Sequence, residues 1–412
     1  MKKGSYSVRL ATDKAPLWKK KGPLLERLDM EITERCNNNC IHCFINLPAE
    51  DALAKEKELK SDDIKEILEQ AASLGCLTVR FTGGEPVLRE DFEDLYIFSR
   101  KLGLKVILFT NATLVTPKLA ELLTRIPPLE MVEVSIYGMK KRSYEAVTRI
   151  PGSFEAAWQG ISLLLEKKIP FVVKTVVLPP NRDDMEDFEQ WAATIPWMKK
   201  SHSYVLFLDN HGRHDMLKRH MINKLRLSPE EGLKILTNRK NEYVEEMKGF
   251  CAEFLRPLGE RVFSCGAGIG SGCVDAYGYF QPCLLLRHPS TVYNLRNGSL
   301  KDALTQFFPG VREMKGKDSD FLEHCAHCFL RGLCEQCPAK SWMEYGTLDT
   351  PVKYFCDIAH AQARFLGLLE DGEKAWEVKG WKERIRQFSE KTPALPKELG
   401  GYCKGSRGLG VK

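Results

Sequence analysis

"RCNNNCIHCF", residues 35–44, sets Cys36, Cys40 and Cys43 in a CxxxCxxC spacing. Three thiols in eight positions call for a common occupant. The N-terminus, "MKKGSYSVRLATDKAPLW", has lysines but no apolar run of signal-peptide type, so the chain is expected to be cytoplasmic. In a reducing compartment its 14 cysteines are metal ligands or buried hydrophobes rather than disulfides. Structural zinc takes four ligands, often as two close pairs. Before Cys76 the one further candidate is His42, badly placed inside the loop to close the same tetrahedron. An iron–sulfur cluster ordinarily takes four thiolates as well; three leave one iron open to a small-molecule ligand.

The composition is that of an ordinary globular protein: 412 residues, 43% hydrophobic, 28% charged, net charge +6, enough chain for two or three domains. No apolar run reaches spanning length, which excludes an integral helical membrane protein. The basic excess sits largely in "WKKKGP" and "YCKGSRGLGVK" and reads as solvated ends rather than a nucleic-acid surface.

From residue 25 to 208, strand-like and helix-like runs alternate. "LERLDMEIT" precedes "SDDIKEILEQAASLG", where Ser61 is the expected N-cap and Ile64, Ile67, Leu68 and Ala71 form a helical stripe. The alternation continues through "LTVRFT", "KVILFT", "MVEVSIYG", "FVVKTVVL" and "YVLFL". Six strands with intervening helices read as an α/β parallel sheet with right-handed crossovers, best fitted by a partial (β/α)6 barrel. Ligands of such sheets bind beyond the C-terminal strand ends. The cysteine loop follows strand one, "TGGEP" strand two and "TNAT" strand three, and "SIYG" ends strand four, so all four converge on one rim. Gly83 and Gly84 let backbone approach a ligand, Glu85 can accept from an ammonium, and Asn111 suits an Asx-turn.

These motifs resemble the radical S-adenosylmethionine (SAM) enzymes: CxxxCxxC at Cys36, Cys40 and Cys43, with His42 before the last cysteine, then "GGEP" one strand later. The resemblance implies a 4Fe-4S cluster on the three cysteines whose unique iron chelates SAM. It places Gly83, Gly84 and Glu85 at the methionyl amino group, Asn111 on the same cofactor-binding rim, Ser135 at the ribose or carboxylate, and Arg149 at the carboxylate. The implied chemistry is reductive cleavage of SAM to methionine and a 5′-deoxyadenosyl radical that abstracts a substrate hydrogen. A reductant such as flavodoxin or ferredoxin would supply the electron. No acid or base residue is singled out.

Residues 1–24 are expected to be a basic extension, 25–208 the barrel and 209–260 a helical bridge. Residues 261–370 read as a small cysteine-rich α+β domain, and 371–412 as a C-terminal helix and tail. In 261–370, Cys265, Cys273 and Cys283 are followed by the dense run Cys325, Cys328, Cys334 and Cys337, then Cys356. On spacing alone the dense run could hold zinc, and eight cysteines also suffice for two four-thiolate clusters. Gly278 reads as the turn of a hairpin. The order resembles the C-terminal SPASM extension of the same enzymes. That resemblance implies one auxiliary 4Fe-4S cluster on Cys265, Cys273, Cys283 and Cys337 and another on Cys325, Cys328, Cys334 and Cys356, three clusters in all. Cys76, Cys251 and Cys403 fall outside these motifs.

The function expected is an enzyme, a peptide or protein maturase making oxidative or crosslinking modifications. The alternatives are an anaerobic sulfatase-maturating enzyme and a small-molecule enzyme, for example one modifying tetrapyrroles. Leu284, where sulfatase maturases commonly carry aspartate, counts against the former. A peptide or protein substrate is the expected partner, with neither nucleic acid nor membrane.

Overall fold

The computed structural model describes residues 24–45, 47–198, 204–210, 213–214, 216–252 and 259–390. The chain forms two compact units. One comprises Met1–Ser203, Gly212–Lys218 and Cys265–Val311; the other Tyr204–His211, Arg219–Ser264 and Arg312–Lys412. The expected N-terminal extension and the tail after 390, with Cys403, lie outside the described residues, as does the Cys251 side chain.

In the first unit, β1 (Leu25–Thr33), β2 (Thr78–Gly83), β3 (Lys105–Thr110), β4 (Leu129–Ser135) and β5 (Phe171–Val176) are parallel neighbours in chain order. The helices between them are α1 (Ser61–Ser73), α2 (Phe92–Lys101), α3 (Pro117–Arg125), α4 (Lys141–Thr148) and α5 (Ser153–Glu166). This is the expected mixed α/β architecture, the parallel core of a partial barrel, followed by a helical, cysteine-rich C-terminal region.

Alternation along the strands sorts the side chains. Leu28, Met30, Val79, Phe81, Val106, Leu108, Val132, Val134, Phe171 and Val173 are wholly buried in the core that includes Ile64 and Leu68 of α1. The opposite face therefore carries Asp29, Glu31, Arg80, Glu133, Ser135 and Lys174, where Arg80 pairs with Asp29 and Lys174 with Glu133. Helix α1 begins at Ser61, with Lys60 at the cap and its N–H donated to Asp63 Oδ2 at 3.0 Å. The cap is one residue earlier than expected because Ser61 Oγ instead bonds Asp91.

The hairpin about Gly278 is present: β6 (Gly270–Val274) and β7 (Tyr279–Gln281) are antiparallel, with Gly278 at φ 90°. β6 also lies parallel to β1, with Arg27 opposite Ser271 and Asp29 opposite Cys273. The strand β8 (Tyr293–Asn294) follows β7. Residues 265–311 thus extend the sheet of the first unit, and the region expected as one domain, 261–370, is shared between the two units.

The second unit is mostly helical: α6 (Pro229–Leu236), α7 (Lys240–Ala252), α8 (Pro338–Tyr345), α9 (Lys353–Phe365) and α10 (Trp381–Glu390). Its own core includes Tyr243, Phe329, Leu330, Ala359, Ala363 and Ile385. Among the described residues no helix is long and apolar enough to cross a membrane.

Candidate active site

The cysteine loop is held by the end of a helix. Helix α4 leaves its last carbonyls without intrahelical partners, and Val147 O and Thr148 O accept from Ile41 N and Asn39 N at 2.9 Å each. Arg149 closes α4 in the left-handed region at φ 57°, with its side chain exposed. Across the rim, Asn111 Nδ2 donates to Asn37 Oδ1 at 2.9 Å and points at Cys36 Sγ, 3.8 Å away. The Asn38 N–H approaches the same sulfur at 3.4 Å.

Cys40 is 5% exposed, and Cys36 and Cys43 are half-buried. Burial, then Glu85, pushes the Cys36 thiol up to about 12; burial, then Cys43 and Cys36, pushes Cys40 well up. Such thiols ionise when a cationic centre takes them as ligands. Three thiols, one buried and two half-buried, with N–H donors aimed at one sulfur fit an iron–sulfur cluster. Among the described residues no three His, Cys, Asp or Glu side chains gather about a point as ligands of a single ion; a cubane takes each thiolate on a different iron. The cysteines of the described residues form no disulfide.

The glycines of "TGGEP" are required by neighbouring backbone. Gly83 lies at φ 125°, and a Cβ on Gly83 or Gly84 would come closer than 3.0 Å to Thr33 O or Arg35 O. Gly84 N and Glu85 N donate to these same carbonyls at 2.8 and 2.9 Å, so the rim of β2 is sewn to the entrance of the cysteine loop. Gly84→Ala is therefore expected to cost on the order of 1–3 kcal/mol of stability through overpacking, read as a lower urea midpoint.

Glu85 is wholly buried and accepts from Asn111 N at 2.8 Å, Thr110 Oγ1 at 2.9 Å and Val87 N at 3.2 Å. Burial outweighs these bonds and pushes the carboxyl up to about 7. In this structure Glu85 fastens the end of β3 to the end of β2. Asn111 Oδ1 makes the Asx-turn, accepting from Thr113 N at 2.9 Å. Ser135 ends β4, half-buried, opposite Lys174 of β5.

The sequence reading missed a charged cluster beneath this rim. Arg213 bonds Glu31 at 2.8 Å and Glu34 at 2.7 Å, and its N–H donates to Phe44 O at 3.1 Å, so it grips both the strand end and the cysteine loop. Arg287 pairs with Glu31 and with Asp275. Glu34 Oε2 also meets His214 Nε2 at 2.7 Å and accepts from Tyr277 O–H at 2.9 Å. The available signal was parity: Leu28, Met30 and Ile32 face the helices, which puts Glu31 on the ligand face, where a carboxylate needs a cation.

Burial alone would raise Glu34, but His214, Arg213 and Arg287 hold it down to about 2. Its ordinary value near 4.5 applies to the unfolded chain. This carboxylate's contribution is thus complete above about 4.5 and lost as pH falls toward 2, on the order of 3 kcal/mol in all. Glu34→Gln should flatten the fall of the urea midpoint across that window.

In the second unit, a π-turn at Phe321–Cys325, a 3-10 turn at Phe329–Gly332 and the first turn of α9 bring Cys325, Cys328, Cys334 and Cys356 together. Burial, then Cys356, pushes the Cys325 thiol up to about 11, and burial, then Cys325 and Cys356, pushes Cys328 up to about 12. Cys334 is raised by burial and then by the other three. Cys337 is the N-cap of α8. Cys273 is buried in β6, Cys283 is half-buried and Cys265 exposed, all three in the first unit.

A family model, the radical SAM superfamily, matches residues 30–192. AdoMet-dependent heme synthase of Methanosarcina barkeri is 26% identical over 343 residues, covering 77% of this chain and 92% of that relative. Among solved structures, Streptococcus suis SuiB bound to precursor peptide SuiA superposes at TM-score 0.58 and 19% identity, over 79% of this chain and 74% of SuiB. Native anSMEcpe with bound AdoMet does so at 0.59 and 16%, over 89% and 100%. At these identities the structures speak for the fold. Residues 30–192, with the CxxxCxxC loop and the sewn GGE rim, are a radical SAM domain, and the relatives this chain resembles are enzymes.

Proposed function

We propose that this enzyme is a peptide or protein maturase that oxidises or crosslinks its substrate, with an auxiliary iron–sulfur cluster on Cys325, Cys328, Cys334 and Cys356. The observation that carries this reading is the gathering of those four half-buried thiols within the second unit. Four thiolates saturate a cubane's irons, which suits an electron carrier rather than a substrate ligand.

When bound, the first cluster and SAM together supply the hydrogen-abstracting radical. Cys36, Cys40 and Cys43 would hold that cluster, and α4 and Arg213 would fix their loop. The backbone at Gly83 and Gly84, with Glu85, Asn111, Ser135 and Arg149, is proposed to hold SAM. An oxidised product requires a second electron to leave the substrate, and a saturated cluster can take it. The likeness of fold to SuiB, solved with its precursor peptide, supports a peptide substrate.

A second reading, action on a heme precursor, is favoured by the likeness to heme synthase over 92% of that relative. The two separate in one assay. Reconstituted enzyme with reductant and SAM is offered heme-precursor porphyrins in one arm and peptides encoded beside its gene in the other. Substrate-dependent 5′-deoxyadenosine with a peptide mass change supports the maturase; the same with only a porphyrin replaces it.

A further inference from the structure

Behind Cys356 stands a buried histidine that the proposed chemistry leaves unused. His360 lies one helical turn on in α9, 8% exposed. Its Nε2 accepts from the Ala375 N–H at 3.4 Å, which leaves the ring proton on Nδ1. Nδ1 lies 2.8 Å from Cys356 O and 3.5 Å from Cys356 Sγ. Trp376 stands edge-on to the His360 ring at 5.6 Å between centroids and also packs on His324 at 4.4 Å. The ring is therefore held from three sides: by its own helix carbonyl, by the Ala375 amide and by an indole.

We propose that His360 is a positioning residue for the auxiliary cluster: its Nδ1–H, shared between Cys356 O and the Cys356 sulfur, raises that cluster's reduction potential. This rests on the reading that Cys325, Cys328, Cys334 and Cys356 hold the cluster. A hydrogen bond to a cluster sulfur strengthens as the sulfur gains negative charge, so it stabilises the reduced form over the oxidised one. A more readily reduced cluster is the better acceptor for an electron leaving an oxidised substrate. The segment after Leu369, through Ala375 and Trp376, thereby sets the electronic character of a site whose ligands lie before it.

The test is a potentiometric titration of the anaerobically reconstituted full chain, followed by EPR. The signal lost in Cys356→Ala identifies the cluster. Poised at the unaltered protein's midpoint, His360→Leu should lower that cluster's reduced-to-oxidised ratio about fivefold, the weight of one neutral hydrogen bond. His360→Asn, which can place an amide N–H near the same point, should recover most of the ratio. In the unaltered protein, selective 15N-histidine labelling should give a nitrogen coupling on the reduced cluster, so the proposal stays testable if His360→Leu does not fold. An identified signal with an unshifted midpoint, or with no histidine coupling, overturns the proposal alone. Iron content and EPR unchanged by Cys356→Ala overturn the four-thiol reading, and the proposal with it.

Discussion

The variant Cys36→Ala, Cys40→Ala, Cys43→Ala should make no 5′-deoxyadenosine from SAM above background and should lose the iron of one cubane from the reconstituted protein. The loop's place in the fold does not depend on its sulfurs: Ile41 N and Asn39 N are tied to α4 through backbone, and Arg213 grips Glu31, Glu34 and Phe44 O. The protein should therefore stay folded, and the urea midpoint of the metal-free variant should match that of the metal-free parent. Full retention of iron, or zinc in the parent, would end the radical SAM reading of these three thiols.

The second large effect separates cleavage from product. Cys356→Ala should leave substrate-free conversion of SAM to 5′-deoxyadenosine largely intact, because the residues proposed for that step belong to the first unit. Turnover of the true substrate to an oxidised product should fall to background, since the electron outlet is gone. Metal binding and folding of a cysteine-dense segment are linked, so the variant is first checked for its remaining iron and for the circular dichroism of the parent. A variant that forms product at the parent's rate would show that the second unit's thiols carry no electron of this reaction.

Much of the first unit was legible because its strands and helices keep their periods over long runs. The stripe of Ile64, Ile67, Leu68 and Ala71 is buried as expected, and five strands pair in chain order. The rim loops were legible for the same reason: each follows a strand, and parallel strands deliver their C-terminal ends to one side. Two features were not. The pairing of β6 with β1 joins residues far apart in sequence, and "GSGCV" carries no mark of its neighbour. Arg213 likewise gives no local sign that its partners are Glu31 and Glu34. The glycines were legible as close-approach positions, but the backbone they admit is that of Thr33 and Arg35.

The pairing of Arg27 with Ser271 bears on how the chain comes off the ribosome. One edge of β1 is closed by β2 soon after both are made, whereas the other waits for β6. At roughly 5–20 residues per second, the intervening ~240 residues take on the order of tens of seconds to synthesise. Throughout that interval a parallel strand with one apolar face, leading straight into the cysteine loop, presents an open row of N–H and C=O groups, a template for mispairing with other chains. Slowing translation downstream of β5 should lengthen the exposure and lower the soluble yield, and a chaperone that covers strand edges should restore it.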